Sequence, residues 1–206
     1  MMETLPTQQN NTQSQLTPFA DVQSFESAQR MAKALATSDL VPKQFSGNLG
    51  NTLLALEMSN RLNMPVFSVM QNLYVIHGKP SFSASFMIAL VNASKRFDTP
   101  LLFEYNEERT SCYAYAMQGE NKIKGSTVTM QMAQQEGWLS KNGSKWKTMP
   151  ELMLMYRAGT FFARAYVPDL LMGMKSQEEV LDIEAEVVDD SSSSDLDDMI
   201  LPPVED

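Results

Sequence analysis

Residues 146–174 read WKTMPELMLMYRAGTFFARAYVPDLLMGM, and we expect the rest of the fold to pack around them. Thr148 and Glu151 have the spacing of a capping box, and Pro150 suits the first turn of a helix. Pro168 ends the predicted helix about five turns later. Nearly every residue between the two prolines is apolar or small, which indicates burial on most sides. We therefore predict a core helix over residues 149–166.

Two arginines interrupt the apolar surface of this predicted helix. Arg157 and Arg164 are seven residues apart and share one face with Thr160, at a separation of about 10 Å along the axis. A guanidinium is almost never buried without a partner, so this face needs acceptors. Two interpretations remain open. The arginines form salt bridges with Glu151 or Asp169 or hydrogen-bond carbonyls near the helix end, or they bind an anion.

The anion interpretation draws on the lysines just before the helix. Lys141, Lys145 and Lys147 lie in the segment LSKNGSKWK, which we predict to be a loop. Arginine and lysine side chains bind phosphate oxygens, and a row of fixed arginines suits a run of phosphates. This pattern is compatible with a nucleic-acid backbone as the ligand.

The net charge of −9 is distributed unevenly along the 206 residues. Residues 178–206 hold 12 of the 25 acidic residues and no lysine or arginine, whereas residues 1–177 carry 16 basic residues against 13 acidic ones. Within residues 121–175 there are eight basic residues and three acidic ones. The acidity therefore belongs to the C-terminal segment, and the remaining chain is mildly basic, mainly in its second half.

The sequence lacks the patterns of several functional classes. One cysteine and one histidine exclude an internal disulfide framework and argue against a zinc site. There is no apolar run long enough to span a membrane and no secretory leader, so we expect a cytoplasmic protein without membrane contact. No P-loop, HExxH, GxSxG or HxE…CxxC pattern occurs. We expect no cofactor, with Mg²⁺ serving only as a counterion of DNA.

One pattern is similar to part of a metal-dependent nuclease signature. Glu120 and Lys122 have the ExK spacing, and Asp98 lies upstream as a second carboxylate. These residues fall in the glycine-bounded turn QGENKIKG, where a metal ligand would be solvated and loosely held. We therefore reject the nuclease as the main hypothesis and keep it as an alternative.

Hydrophobic periodicity divides the rest of the chain into short elements. Helices are predicted at residues 21–37, 49–62, 65–71, 85–97 and 129–136. The segment LYVIHGKPSFS predicts a hairpin whose turn is His77–Gly78 or Gly78–Lys79, so His77 is interpreted as a turn residue and not as a catalyst. Runs at residues 101–106, 111–117 and 122–130 predict an antiparallel meander. In its middle run Tyr113 and Tyr115 share one face.

These elements indicate the α+β class, with a small antiparallel sheet or meander packed with about five to six helices. Residues 1–20 are rich in Gln, Asn and Thr, which predicts a flexible N-terminal arm, and residues 21–184 form the core. Residues 185–206 predict a disordered acidic tail with an apolar tip. Such a tail would dock on a partner, compete with DNA for the basic surface, or keep the protein soluble.

Two segments resemble the RecT/Bet (Redβ-like) family of phage single-strand DNA annealing proteins. They are MQNLYVIHGKPSFSASFMIALVNAS and MLMYRAGTFFARAYVPDLLMG. The order of elements is also similar to that of the family. A meander is followed by a tryptophan, a lysine-bearing loop and a helix with two basic residues seven positions apart. The likeness covers residues 25–183. It implies an α+β core that multimerises into rings or helical filaments, binds single-stranded DNA and pairs it with a complementary strand without ATP during phage recombination.

The resemblance also guides the choice of DNA-binding residues and partners. The matching positions are Lys79 in the hairpin, Lys141, Lys145 and Lys147 in the loop, and Arg157 and Arg164 on the helix. Lys122 and Lys124 in the third meander run and Thr160 on the helix complete the candidates. The implied partners are single-stranded DNA, the annealed duplex, further copies of the chain, a phage exonuclease and the host single-strand binding protein. If the protein binds the phosphates, the base edges stay free, and base pairing supplies the sequence information.

A third class of function is a structural adaptor. The chain contains 16 methionines, and methionine suits adaptable interaction surfaces. Such a protein would multimerise through a methionine-rich surface and would not bind DNA. Binding of single strands at low salt distinguishes it from an annealing protein.

Overall fold

The computed structural model describes residues 18–76 and 78–183. Within these residues the chain forms nine helices and six strands. The helices are α1 (Val22–Ala36), α2 (Leu49–Leu62), α3 (Val66–Asn72), α4 (Ala84–Ala93), α5 (Met130–Gln135), α6 (Lys145–Thr148), α7 (Pro150–Tyr166), α8 (Pro168–Leu171) and α9 (Gln177–Ile183). The strands are β1 (Leu73–Ile76), β2 (Lys79–Phe82), β3 (Leu102–Tyr105), β4 (Ser111–Gln118), β5 (Asn121–Lys124) and β6 (Val128–Thr129).

The α+β class is confirmed. Helices α1, α2, α3, α5 and α7 lie where they are predicted, whereas α6, α8 and α9 have no counterpart in the predicted elements. Helix α4 ends at Ala93 and not at residue 97 as predicted, because Lys95 adopts the left-handed conformation. The expectations for the N-terminal arm over residues 1–17, for His77 and for the acidic tail beyond residue 183 lie outside the described residues.

Helix α7 begins without the predicted capping box. Pro150 occupies the first turn as expected, but Met149 is the N-cap and no side chain caps the helix. Thr148 cannot be the cap because it is the last residue of the preceding helix α6. Glu151 pairs instead with Arg109, Oε2 to Nη1 at 2.9 Å. The capping-box prediction is wrong because the residues before the proline form a separate helical turn.

The hydrophobic core lies around α7, which packs against β4 and against α4. Gly159 permits the close approach of α4, since a Cβ added there would lie 2.8 Å from Cγ1 of Ile88. Phe162 faces the sheet, and a Cβ added to Gly125 would lie 3.2 Å from Cδ2 of Phe162. Each glycine therefore stands where a neighbouring element leaves little room for a side chain.

Strand β4 is the centre of the larger sheet. Strand β3 pairs with one edge of β4, over Cys112 to Tyr115. Strands β5 and β6 both pair with the opposite edge of β4, one after the other along its length. The third predicted run is thus divided in two near Gly125, whose N–H donates to the carbonyl of Ala114 at 2.8 Å. Burial alternates along β4, with Cys112, Ala114 and Ala116 buried. Tyr113 and Tyr115 occupy the opposite face, as the alternation predicts.

The first three helices pack in sequence, α1 on α2 and α2 on α3. Asp21 caps α1 by accepting the N–H of Ser24, and Asn48 caps α2 by accepting that of Asn51. Asn63 ends α2 in the left-handed conformation. No helix in residues 18–76 or 78–183 combines the length and the apolar character needed to cross a bilayer.

The smaller sheet is the hairpin of β1 and β2, in which Ile76 pairs with Lys79. Helix α9 packs against both strands. It starts with a capping box of its own: Oγ of Ser176 accepts the N–H of Glu179 at 3.1 Å, and Oε2 of Glu179 accepts the N–H of Ser176 at 3.0 Å. The S-x-x-E spacing at residues 176–179 thus marks a helix start within a segment that composition identifies only as acidic.

Candidate nucleic-acid interface

Arg157 is sealed in the interior, with 4% of its side chain exposed. Its guanidinium lies 3.9 Å from the ring centre of Trp138 and 5.8 Å from that of Trp146. Nη2 donates to Oδ2 of Asp182 on α9, and the same oxygen accepts Nε1–H of Trp146 at 2.9 Å. Burial lowers the pKa of Arg157 and raises the pKa of Asp182 from their ordinary values. Both shifts reflect the removal of this pair from water.

Arg164 lies two turns further along α7 and also has a partner on α9. Its Nη2 is 2.7 Å from Oε1 of Glu179, and the side chains are 36% and 3% exposed respectively. Thr160, between the two arginines, is buried, and its hydroxyl donates to the carbonyl of Arg157 at 3.1 Å. The expectation that this face presents open donors to phosphates therefore does not hold in this structure.

The salt-bridge interpretation is correct, but its acceptors are not the two carboxylates that the sequence suggested. Glu151 pairs with Arg109. Asp169 accepts two hydrogen bonds from Arg96, one of them from Nη1 at 2.8 Å. Helix α9 supplies the acceptors in their place, because its packing against β1 and β2 brings Glu179 and Asp182 within reach of the two arginines.

The predicted lysines are divided between separate parts of the fold. Lys141 donates from Nζ to the carbonyl of Leu181 on α9. Lys145 and Lys147 are exposed on α6, on either side of the buried Trp146. Lys79 is exposed at the start of β2 in the smaller sheet. Of the four, Lys141 is the one whose ammonium group contacts the helix that covers the arginines.

Lys122 and Lys124 lie beside the two tyrosines of β4. Nζ of Lys122 is 3.9 Å from the ring centre of Tyr115 and 5.1 Å from that of Tyr113. Nζ of Lys124 is 3.9 Å from the ring centre of Tyr113, and the two rings are 6.0 Å apart. Together with Glu104 of β3, these residues form what we call the outer sheet face. Two aromatic rings and two ammonium groups therefore share one solvent-facing surface.

Glu104 is the acidic member of the outer sheet face. Its Oε2 accepts a hydrogen bond from Nζ of Lys122 at 2.7 Å, and the same ammonium donates to the hydroxyl of Tyr113 at 2.9 Å. The hydrogen bond from Lys122 is the main cause that lowers the pKa of Glu104, and the bond to Glu104 raises the pKa of Lys122. Both groups are thus charged at neutral pH, and Glu104 partly neutralises the face.

The sequence predicts the lysines of the outer sheet face as candidates but does not single out its tyrosines. The signal was present, because strand alternation places Tyr113 and Tyr115 on one face and Lys122 and Lys124 recur with the same period in the next run. What the sequence did not show is the register, in which Tyr115 pairs with Lys124.

The residues of the alternative metal site are placed around the turn between β4 and β5. Oδ2 of Asp98 accepts the N–H of Gly119 at 2.6 Å, next to Glu120. Asp98 is thereby tied to the backbone of the turn. Among residues 18–76 and 78–183, no group of three or more His, Cys, Asp or Glu side chains is arranged to hold a metal ion.

The outer sheet face places ammonium groups against aromatic rings, whereas Arg157 and Arg164 of α7 are each paired with a carboxylate of α9. No protein-family model, no curated protein and no solved structure matches the chain.

Proposed function

We propose that this protein binds single-stranded DNA on the outer sheet face and anneals complementary strands without ATP, like the RecT/Bet proteins that its sequence resembles. One observation carries the proposal: Tyr113 and Tyr115 lie side by side with the ammonium groups of Lys122 and Lys124 against their rings. Aromatic platforms flanked by cations are the common means of holding single strands without reading their sequence.

The chemistry of the face fits a nucleotide strand. Each tyrosine ring offers a surface on which a base stacks, a contact that contributes about 1–3 kcal/mol per base. The lysine ammonium groups lie over the rings on flexible stems, so they can move from the π faces to phosphate oxygens. A strand held by one base face and by its phosphates keeps its Watson–Crick edges free to pair.

The wider biological role follows from the resemblance. We propose that further copies of the chain extend the binding surface along the strand as a ring or filament. The annealed duplex is then the product, and a phage exonuclease and the host single-strand binding protein are the protein partners. This activity belongs in the cytoplasm of a bacterial host and needs no cofactor beyond counterions of DNA.

Fluorescence anisotropy with a labelled oligothymidine tests the proposal. We expect Tyr113→Ala/Tyr115→Ala to weaken binding at least about tenfold, because two stacking contacts are lost. We expect Lys122→Ala/Lys124→Ala to reduce the slope of log K against log salt by about 1.4, since each phosphate contact on a single strand contributes about 0.7.

The matched control removes two exposed lysines elsewhere, Lys33 of α1 and Lys43 after it. Lys33→Ala/Lys43→Ala makes the same charge change and should leave most of the affinity intact. Circular dichroism confirms that each variant is folded, and annealing of complementary oligonucleotides is followed in parallel. Absence of binding by the unmodified protein at low salt, or equal losses in the sheet and control variants, would contradict the proposal.

A further inference from the structure

Helix α9 turns its acidic side chains toward the protein, not toward solvent. Oε2 of Glu178 accepts the N–H of Ala84, at the start of α4, at 3.0 Å. Glu179 contacts Arg164, and Asp182 contacts Arg157. Leu181, an apolar residue of the same helix, is 50% exposed. Charge pairing is therefore a major part of what attaches α9 to the core.

Attachment through charge pairs would allow another anion to displace α9. A helix of seven residues has little stability in isolation, so its contacts keep it formed. Buried ion pairs contribute little net free energy because desolvation offsets most of their attraction, although removal of one partner is costly. Loss of α9 without a replacement would leave Arg157 without its counter-charge beside two indole rings. An anion that takes the place of the carboxylates removes that cost.

The surface beneath α9 has the composition of a nucleic-acid site. Arg157 and Arg164 are the cations, and Lys141 contacts the α9 backbone at Leu181. Trp138 and Trp146 are stacked on each other with ring centres 5.0 Å apart, and Arg157 lies over the first of them. We call these five residues the covered trough. Guanidinium groups beside large aromatic rings can grip phosphates and stack bases.

We propose that the covered trough is a second binding site for single-stranded DNA, and that α9 is its built-in competitor, whose carboxylates occupy the positions that phosphates take when a strand displaces the helix. This inference rests on the proposed function, since it requires a protein that binds single strands. It adds a site on a different element from the outer sheet face, and it gives the acidic residues of α9 a role in controlling access to that site.

Tryptophan fluorescence of the full chain tests whether the trough opens. The chain contains two tryptophans, and both lie buried in the covered trough. We expect saturating oligothymidine to shift their emission to longer wavelength and to quench it, because α9 leaves and bases stack on the indoles. Anisotropy measured on the same sample reports binding independently. Binding without any change in tryptophan emission would overturn this inference and leave the proposed function standing.

Charge-removing variants test the competition. Glu179→Gln/Asp182→Asn keeps the shape of α9 but weakens its hold on the arginines, and we expect it to bind oligothymidine about tenfold more tightly, with a salt slope larger by about 1.4. Glu26→Gln/Glu136→Gln makes the same charge change at two exposed residues and corrects for the general effect of charge.

The higher affinity of the α9 variant for oligothymidine must depend on Arg157 and Arg164. We expect Arg157→Gln/Arg164→Gln, added to the α9 variant, to abolish its extra affinity. Circular dichroism establishes that both variants are folded, and the emission test on the unmodified protein applies even if they are not. Affinity of the α9 variant no higher than that of the control, or a gain that survives loss of both arginines, would overturn the inference.

Discussion

Arg157 and Asp182 are 25 residues apart in the chain and form a buried salt bridge next to the indoles of Trp138 and Trp146. This pair connects the central helix α7 to α9, the last described helix. It explains how a guanidinium lies in the interior of an apolar helix without an uncompensated charge. It also gives the arginine face a structural role in the fold.

Replacement of Arg157 by alanine should destabilise the fold by about 3–5 kcal/mol, because Asp182 would be left as a buried charge without its main partner. Urea unfolding followed by circular dichroism measures the change. Arg96→Ala is the control: it breaks the pair with Asp169, in which both side chains are substantially exposed, and should cost far less. Similar small effects in the two variants would mean that the interior pair does not support the fold.

Gly159→Ala should destabilise the protein by about 1–3 kcal/mol, since its Cβ would lie 2.8 and 2.9 Å from two carbons of Ile88 and force α4 away from α7. Gly50→Ala is the matched control in helix α2, where the nearest atom is Oδ1 of Asn48 at 3.6 Å. There the better helix propensity of alanine should leave stability unchanged or raise it by up to about 1 kcal/mol. Thermal unfolding compares the two, and equal effects would contradict close packing at Gly159.

Glu104→Gln should strengthen binding of oligothymidine about threefold, because it removes a negative charge from the outer sheet face and frees Lys122 for a phosphate. Glu107→Gln, in the exposed turn after β3, makes the same charge change outside the face. Anisotropy at low salt measures both. An equal gain in the two variants would show that net charge, and not the position of Glu104, sets the affinity.

Stability should fall as the pH rises from about 9 toward 11, and Cys112 should account for part of the loss. Burial raises the pKa of its thiol from 9.0 to about 11, so the unfolded chain releases this proton at lower pH than the folded protein. Deprotonation then favours unfolding by up to about 2 kcal/mol above pH 11. Urea midpoints across this range for the protein and for Cys112→Ala measure the contribution, and parallel curves would contradict it.

The local elements could be predicted from the sequence because local chemistry determines them. Apolar spacing and the αL residue Asn63 define α2, and the alternation along β4 places its alanines inside and its tyrosines outside. The start of α7 was predicted less well, since Thr148 has the right spacing for a cap yet belongs to α6. Caps depend on the conformation of the preceding residues, which spacing does not reveal.

That two arginines share one face of a buried helix and must find acceptors can be predicted from the amino-acid sequence, because helical geometry and the cost of burying a charge depend only on local residues. Which acceptors they find depends on the packing of distant segments. Glu179 and Asp182 reach the arginines only when α9 packs against the hairpin of β1 and β2. The same holds for the outer sheet face, where the pairing of Tyr115 with Lys124 depends on strand register. Contacts between distant segments result from packing of the whole chain, and no local pattern encodes them.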